Sequence, residues 1–151
     1  MKRKILSLLF VLLILFAGLF LLYFNNTNLV DSKTRVFYSR LKERLQEKGY
    51  SPSLLVISTK RVKWHNDFQV LFSGAAKNSR HLVGDALDFL VFDVNRDGNS
   101  DGKDVDIVVS ILDKQIIKNR GGIGTYKTES LFINRQMVHI DCRGYRARWA
   151  R

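Results

Sequence analysis

The sequence predicts an α+β fold: a small antiparallel sheet with helices on one side, preceded by one N-terminal transmembrane helix. Apolar residues at helical spacing and short alternating apolar runs predict the helices and the sheet. A long charge-free run predicts the membrane helix. With 151 residues, one proline and no low-complexity tract, the chain has room for one domain and this appendage.

The charge-free run extends from Ile5 to Phe24 and follows the basic residues Lys2, Arg3 and Lys4. A helix of this length can cross a hydrocarbon core of about 30 Å. A cleaved signal peptide is the alternative, but its apolar core is usually about 7 to 15 residues long. We therefore expect a signal anchor at 1–24, a spacer at 25–32 and a domain at 33–151. The basic cap favours a single-pass protein of the cytoplasmic membrane whose domain lies on the periplasmic or extracytoplasmic side.

The chain is basic, with 25 Lys and Arg against 14 Asp and Glu and a net charge of +11. This charge suits an anionic partner such as a cell-wall polymer or lipid headgroups. No motif that interleaves basic and aromatic residues indicates nucleic acid, so we expect no nucleic-acid partner. Cys142 is the single cysteine, which excludes an intrachain disulfide and leaves packing and bound metal to stabilise the domain.

Hydrophobic periodicity places the elements of the domain. Helices are predicted from Ser32 or Lys33 to Lys48, from Asn66 to Phe72 with Phe68 and Leu71 inward, and from Asp104 to Lys118. Strands are predicted at Leu54–Ile57, Gly84–Phe92 and Met137–Cys142, with a strand edge at Gly121–Gly124 and a basic aromatic tail at Tyr145–Trp149.

His81 and Asp88 are the first candidate metal ligands. Asp88 lies in an apolar strand, and a buried carboxylate needs a cation or several donors. An imidazole and a carboxylate are ordinary zinc ligands, and a catalytic zinc site has three protein ligands and one open position. His139, in the alternating run from Met137 to Asp141, is the third candidate. Taken singly, each histidine is more often a structural residue, so the case depends on their joint spacing.

That spacing resembles a known family. Ser79-x-His81-x-x-Gly84-x-Ala86-x-Asp88, followed about fifty residues later by His139-x-Asp141, resembles the D-Ala-D-Ala metallopeptidases, in the superfamily that also holds lysostaphin-type enzymes and the Hedgehog signalling domain. The resemblance spans Val56 to Trp149 and is greatest for the small periplasmic peptidoglycan-hydrolase branch. It implies a zinc cleft where the strands of Asp88 and His139 adjoin, with His81 as the third ligand. It also implies hydrolysis of peptidoglycan stem peptides or cross-links, of D,D-carboxypeptidase or endopeptidase type.

The resemblance also suggests two catalytic residues. Ser58-Thr59-Lys60-Arg61 stands where the family has Ser-Gly-Tyr-Arg, whose arginine holds a substrate carboxylate through two hydrogen bonds. Arg61 is therefore the candidate, unless this segment is only a solvated basic loop. Relatives place the general base shortly before the last zinc histidine, where this chain has Gln136 and Met137. Asp141, on the same strand face as His139, is either the base or a partner that orients a zinc-bound imidazole.

A different class of function stays open. The resemblance to the Hedgehog domain also allows a catalytically silent, zinc-containing domain that binds the cell wall.

The loop from Asp93 to Asp104 predicts a second metal site. Oxygen ligands at positions 1, 3, 5, 9 and 12 and glycine at position 6 form the pattern of an EF-hand calcium loop, with the Asp at position 12 that is typical of dockerins. A solvated turn rich in Asp, Asn and Gly is the alternative. We expect a structural calcium ion, and its ligands would be Asp93, Asn95, Asp97, the Asn99 carbonyl, Asp101 and Asp104.

Overall fold

The computed structural model describes residues 27–73, 76–128 and 135–151, together with residues 7, 9–16, 18 and 19 of the N-terminal segment. The predicted membrane-spanning run, residues 5–24, lies partly outside the described residues. Within the described residues, no helix is both long and apolar enough to cross a bilayer. A 3-10 turn at Thr27–Leu29 opens the described domain, and Val30 after it is buried in the core.

Within the described residues, the domain has four α-helices and five strands. Helix α1 spans Ser32–Glu47, where Asp31 caps its first turn by accepting a hydrogen bond from the Lys33 amide. The remaining elements follow in chain order: β1 Leu54–Ser58, α2 Lys63–Ser73, α3 Arg80–Val83, β2 Ala86–Val91, α4 Gly102–Ile111 with a π-helical extension Leu112–Ile116, β3 Gly122–Thr128, β4 Arg135–Asp141 and β5 Ala147–Ala150.

The five strands form one mixed sheet in the order β1-β2-β4-β3-β5. The pairs β1–β2, β2–β4 and β4–β3 are antiparallel, and β3–β5 is parallel. The α+β class with flanking helices is confirmed, but the prediction of an antiparallel sheet is wrong at β5. The chain reverses after β4 and returns along the outer side of β3, so the predicted tail at Tyr145–Trp149 supplies an edge strand.

The hydrophobic core lies between one face of the sheet and the helices α1 and α4. The period of two in β2 sends Leu87, Phe89 and Val91 into this core. Helical spacing brings apolar rows of α1 and α4 against them, as the sequence predicts. The buried members of those rows are Phe37, Leu41 and Leu45 of α1 and Val105, Val108, Ile111 and Leu112 of α4 and its extension. The opposite face of the sheet is therefore left for polar residues.

Two local expectations are wrong. Phe68 and Leu71 of α2 point to solvent, because α2 packs through its other side. The glycine run at Gly121–Gly124 does not lie at a sheet edge, since β3 pairs with β4 on one side and with β5 on the other.

Candidate metal centre

The candidate site is built on one row of residues that crosses the sheet opposite the core. Asp88 pairs with His139, and Gly124 of β3 pairs with His139 from the other side. Ser58 extends the row beyond Asp88, and Trp149 extends it beyond Gly124. Residues paired in this way have neighbouring side chains on one face, so the register itself brings Asp88 and His139 together.

His81 joins this row from the one-turn helix α3. Ser79 caps the helix by accepting a hydrogen bond from the His81 amide, and Gly84 ends it in the left-handed conformation with φ of 80°. The turn directs His81 onto the sheet, where the side chain is 1% exposed. Ser79 and Gly84 of the sequence motif thus shape the backbone that delivers the ligand.

The distances between the three ligand atoms fit a zinc ion. His81 Nε2 lies 3.3 Å from His139 Nδ1 and 3.1 Å from Asp88 Oδ1, and His139 Nδ1 lies 2.7 Å from Asp88 Oδ1. Three ligands at about 2.0 Å from a tetrahedral ion stand about 3.3 Å apart, so metal binding requires shifts of only a few tenths of an ångström. In the described part of the chain, this is the one group of three His, Cys, Asp or Glu residues found with ligand atoms that all lie within 4.8 Å of one another.

The second nitrogen of each imidazole has a partner that selects the metal-binding nitrogen. His81 Nδ1 donates to the Thr59 carbonyl at 2.6 Å, which leaves Nε2 as the ligand. His139 Nε2 donates to Asp141 Oδ2 at 3.1 Å, which leaves Nδ1 as the ligand. Partners of this kind orient metal-binding histidines and raise their basicity.

Asp141 is held from several directions behind His139. Its carboxylate accepts hydrogen bonds from the Gly122 and Arg143 amides at 3.0 and 3.1 Å and forms an ion pair with the Arg143 guanidinium. Because Asp141 contacts the nitrogen that faces away from the cluster, the geometry favours an orienting role over a general-base role. Burial opposes its ionisation, but the hydrogen bonds from His139 and Arg143 hold the pKa of Asp141 well below its ordinary value.

The electrostatics of the metal-free cluster favour a protonated His139. Burial lowers its pKa, but hydrogen bonds to Asp141 and Asp88 outweigh this effect and raise the pKa of His139 to about 9. Burial also opposes the ionisation of Asp88, but the charge of His81 and hydrogen bonds from both histidines outweigh it and keep the pKa of Asp88 well below its ordinary value. A metal ion would therefore replace the proton that His139 Nδ1 shares with Asp88.

Arg61 lies beside the cluster and engages a ligand directly. Its Nη2 donates to Asp88 Oδ2 at 2.7 Å and its Nε donates to Ser58 Oγ at 3.0 Å. Arg61 also lines a surface pocket of about 830 Å³ together with Lys60, Lys63, Lys77 and the apolar Val62, Val70 and Leu82. The pocket is positively charged and adjoins the metal ligands through Arg61.

The glycine run makes room for this site. A Cβ on Gly122 would stand 2.3 Å from Asp141 Oδ2, and a Cβ on Gly124 would stand 2.4 Å from the Trp149 ring. The Trp149 ring therefore packs across Gly124 against His139, with 5.2 Å between ring centroids. Trp149 and Arg143 belong to the site but were not predicted from the sequence. Two features could have indicated them: the alternation of His139 and Asp141 continues to position 143, and glycines of β3 stand opposite His139 and Asp141.

The Asp93–Asp104 loop turns sharply at Gly98, the glycine at position 6 of the predicted calcium loop. Asp93 Oδ2 accepts a hydrogen bond from Gly98 at 3.0 Å, and Gly98 has a φ of 86° that glycine tolerates. Asp104 is fully buried and accepts hydrogen bonds from the Val94, Asn95 and Asp101 amides, which closes the capping box of α4.

The ligand atoms of this loop are not gathered around one point. The Lys103 ammonium lies 3.8 Å from Asp97 and 3.5 Å from Asp101. The ammonium already neutralises part of the negative charge of Asp97 and Asp101, so a calcium ion would have to displace it.

A comparison with known protein families finds no family model that matches this chain, and a comparison with curated proteins finds no match either.

Proposed function

We propose that this chain is a zinc-dependent hydrolase that cleaves peptide bonds in peptidoglycan stem peptides or their cross-links. The observation that carries the proposal is the convergence of His81, Asp88 and His139 with both imidazoles oriented by fixed partners. Three protein ligands leave a fourth position for water or substrate, as in catalytic zinc sites. A zinc ion held by these three ligands would polarise a scissile carbonyl and make hydroxide available from its bound water near neutral pH.

The surrounding residues support hydrolysis of an anionic peptide. Arg61 presents a guanidinium that links Asp88 to the basic pocket, where Lys60, Lys63 and Lys77 add positive charge. A substrate carboxylate would be attracted there, and Arg61 would hold it while it also orients Asp88. Asp141 and Thr59 hold the imidazoles in place and keep their ligand nitrogens aimed at one point.

The choice of peptidoglycan rests on the resemblance of the His81–Asp88 block and His139-x-Asp141 to the D-Ala-D-Ala metallopeptidases. It also rests on the predicted signal anchor at 1–24, which would place the domain outside the cytoplasmic membrane and facing the wall.

The test is incubation of purified sacculi with the metal-stripped full-length chain, with and without added zinc. We expect new amino termini and altered soluble fragments only in the presence of zinc. Replacing any zinc ligand should abolish both zinc binding and product, whereas His65→Ala is the matched control because His65 lies outside the cluster. Unchanged sacculi, or full zinc stoichiometry in His139→Ala, would contradict the proposal.

A catalytically silent, zinc-containing wall-binding domain is the second candidate. It is favoured by one observation: Asp141, the expected base, contacts the far nitrogen of His139 and is committed to Arg143. The same sacculus experiment separates the candidates, since co-sedimentation without product indicates binding alone.

We also propose that the Asp93–Asp104 loop binds calcium in a structural role, with Asp93, Asn95, Asp97, Asn99, Asp101 and Asp104 as the ligand set. Its support is the position-6 glycine turn and the capping box at the start of α4. Isothermal titration of metal-stripped protein with calcium tests it, and Lys103→Ala should bind calcium more tightly because the competing ammonium is gone. The calcium proposal would be contradicted if millimolar calcium produced no heat of binding and no rise in the melting temperature.

A further inference from the structure

Helix α2 carries its apolar side chains on the outside of the domain. Trp64, Phe68, Leu71 and Phe72 are 66%, 54%, 76% and 69% exposed. They are spaced i, i+4, i+7 and i+8, which places them on one side of the helix. These four residues form the apolar face of α2. A contiguous patch of large apolar side chains on a soluble surface marks a site of interaction with a partner or a membrane.

The opposite side of α2, toward the domain, is mostly polar, with the half-buried Val70 one turn after Asn66. Asn66 is fully buried, and its side chain donates to the Ala76 and Lys77 carbonyls at 3.2 and 3.3 Å. His65 and Gln69 are half-buried and lie 3.4 Å apart on the same flank. The polarity of the helix is thus inverted relative to an ordinary surface helix, so the apolar face is adapted to a second apolar phase outside the domain.

Basic residues flank helix α2 in the chain. Lys60 and Lys63 stand at the start of α2, and Lys77 follows its end, all three with exposed side chains. Asp67 is the acidic residue on the helix, and its carboxylate is paired with Lys63 at 2.7 Å. Trp, Phe and Leu on one face with Lys around them form the pattern of a helix that lies in the interface of an anionic bilayer.

The N-terminal segment enters the domain beside Gly84 and Lys60, and Lys60 lies three residues before α2. The Asp31 amide donates to the Gly84 carbonyl at 2.7 Å. A Cβ on Gly84 would lie 3.2 Å from the Leu29 carbonyl and 3.4 Å from the Lys60 side chain. The charge-free run of the sequence ends at Phe24, three residues before Thr27, a separation that spans at most about 10 Å. The end of the predicted membrane-spanning run is therefore connected to a part of the domain that neighbours Lys60.

We propose that the apolar face of α2 docks on an anionic lipid bilayer, with Trp64, Phe68, Leu71 and Phe72 at the boundary of headgroups and acyl chains and the lysines at lipid phosphates. Docking would hold the pocket beside Arg61 next to the bilayer, because α2 also lines that pocket through Lys63, Asp67 and Val70. The inference is independent of the zinc chemistry and stands or falls separately from it.

The test uses the full-length chain in lipid nanodiscs that hold one copy each, made of phosphatidylcholine alone or mixed with phosphatidylglycerol. Trp64 and Trp149 are the two tryptophans of the chain. The difference between the native chain and Trp64→Phe isolates the fluorescence of Trp64. In the phosphatidylglycerol discs, lipids brominated at a shallow acyl position should quench the fluorescence of Trp64, and its emission maximum should shift to the blue. Quenching should be weaker in neutral discs and in high salt.

Two sets of variants sharpen the test. Phe68→Ser with Leu71→Ser should remove most of the quenching and leave zinc affinity unchanged, since both side chains are exposed. Val36→Ser, at a 44% exposed apolar position of α1, is the matched control and should keep the quenching. Lys77→Gln should lower the ratio of docked to undocked protein about fivefold, which corresponds to about 1 kcal/mol per basic residue at an anionic surface.

Unquenched Trp64 in the phosphatidylglycerol discs would overturn the proposal. A blue shift that appears in detergent with a dimeric chain, but without quenching in single-copy discs, would assign the face to a second copy and also overturn it. Equal quenching in neutral and anionic discs would overturn the role of the lysines.

Discussion

The proton on His139 makes the affinity of the site for zinc dependent on pH. In the metal-free protein, Asp141 and Asp88 raise the pKa of His139 to about 9, and the metal can bind only to the deprotonated nitrogen. At pH 7 this proton is present in about 99 of 100 molecules and at pH 9 in about half, so the apparent affinity at pH 7 should be about 50-fold weaker than at pH 9. The apparent affinity for zinc should therefore rise by about tenfold per pH unit and level off above the pKa of His139.

The assay is a competition titration of metal-stripped, full-length protein with zinc and a chromophoric chelator between pH 6.5 and 9.5, with the chelator's own protonation taken into account. A water bound to zinc also releases a proton near pH 7, so the decisive comparison is between variants. Asp141→Asn removes one of the carboxylates that raise the pKa of His139 and should move the upper break in the profile to lower pH. Asp113→Asn is the matched control, since Asp113 is also held by arginines but lies outside the cluster.

An affinity that stays constant from pH 7 to pH 9 would refute the reasoning, because it would mean that His139 is already neutral before zinc binds. An unchanged profile in Asp141→Asn would refute the part assigned to Asp141.

Three further predictions concern the same row of the sheet. Because the pKa of folded His139 lies above its unfolded value of 6.5, its contribution to the stability of the metal-free protein is complete below pH 6.5 and is lost as the pH rises through about 9. This loss is at most about 3 kcal/mol, and urea unfolding at several pH values should detect it; a flat profile would contradict it. Asp141→Asn should weaken zinc affinity by about 10- to 100-fold if Asp141 orients His139, whereas a general base would lose about 10²- to 10⁴-fold in turnover with zinc retained. Gly124→Ala should destabilise the domain by about 1 to 3 kcal/mol, because the new methyl group meets the Trp149 ring. A melting temperature equal to that of the native chain would contradict this prediction and show that the ring is free to move.

A local pattern identified Asp88, whereas His81 and His139 were identified by their resemblance to the motif spacing of a known family. The period of two in β2 separates Asp88 from the apolar face of Leu87 and Phe89, so a carboxylate on an otherwise apolar strand is visible without a structure. The helical spacing of α1 and α4 likewise predicts which residues enter the core. His81 and His139 were found through motif spacing, and the structure brings both to Asp88.

Other features depend on contacts between distant parts of the chain. The pairing of Asp88 with His139 requires β2 and β4 to be neighbours in one register, and the edge strand β5 requires the chain to return beside β3. Periodicity specifies which face a side chain occupies, but it does not specify strand order. The nitrogen of His139 that meets Asp141 follows from the position of Asp141 relative to the ring, which only the folded sheet defines.

Helix α2 also shows that sequence periodicity does not specify which face of a helix packs on the domain. Its apolar spacing predicts that Phe68 and Leu71 point inward, and the helix forms as expected, but the domain contacts its polar side. An amphipathic pattern determines that a helix has two different faces. Which face meets the protein depends on contacts outside the helix, such as the bonds that the buried Asn66 side chain donates to the Ala76 and Lys77 carbonyls.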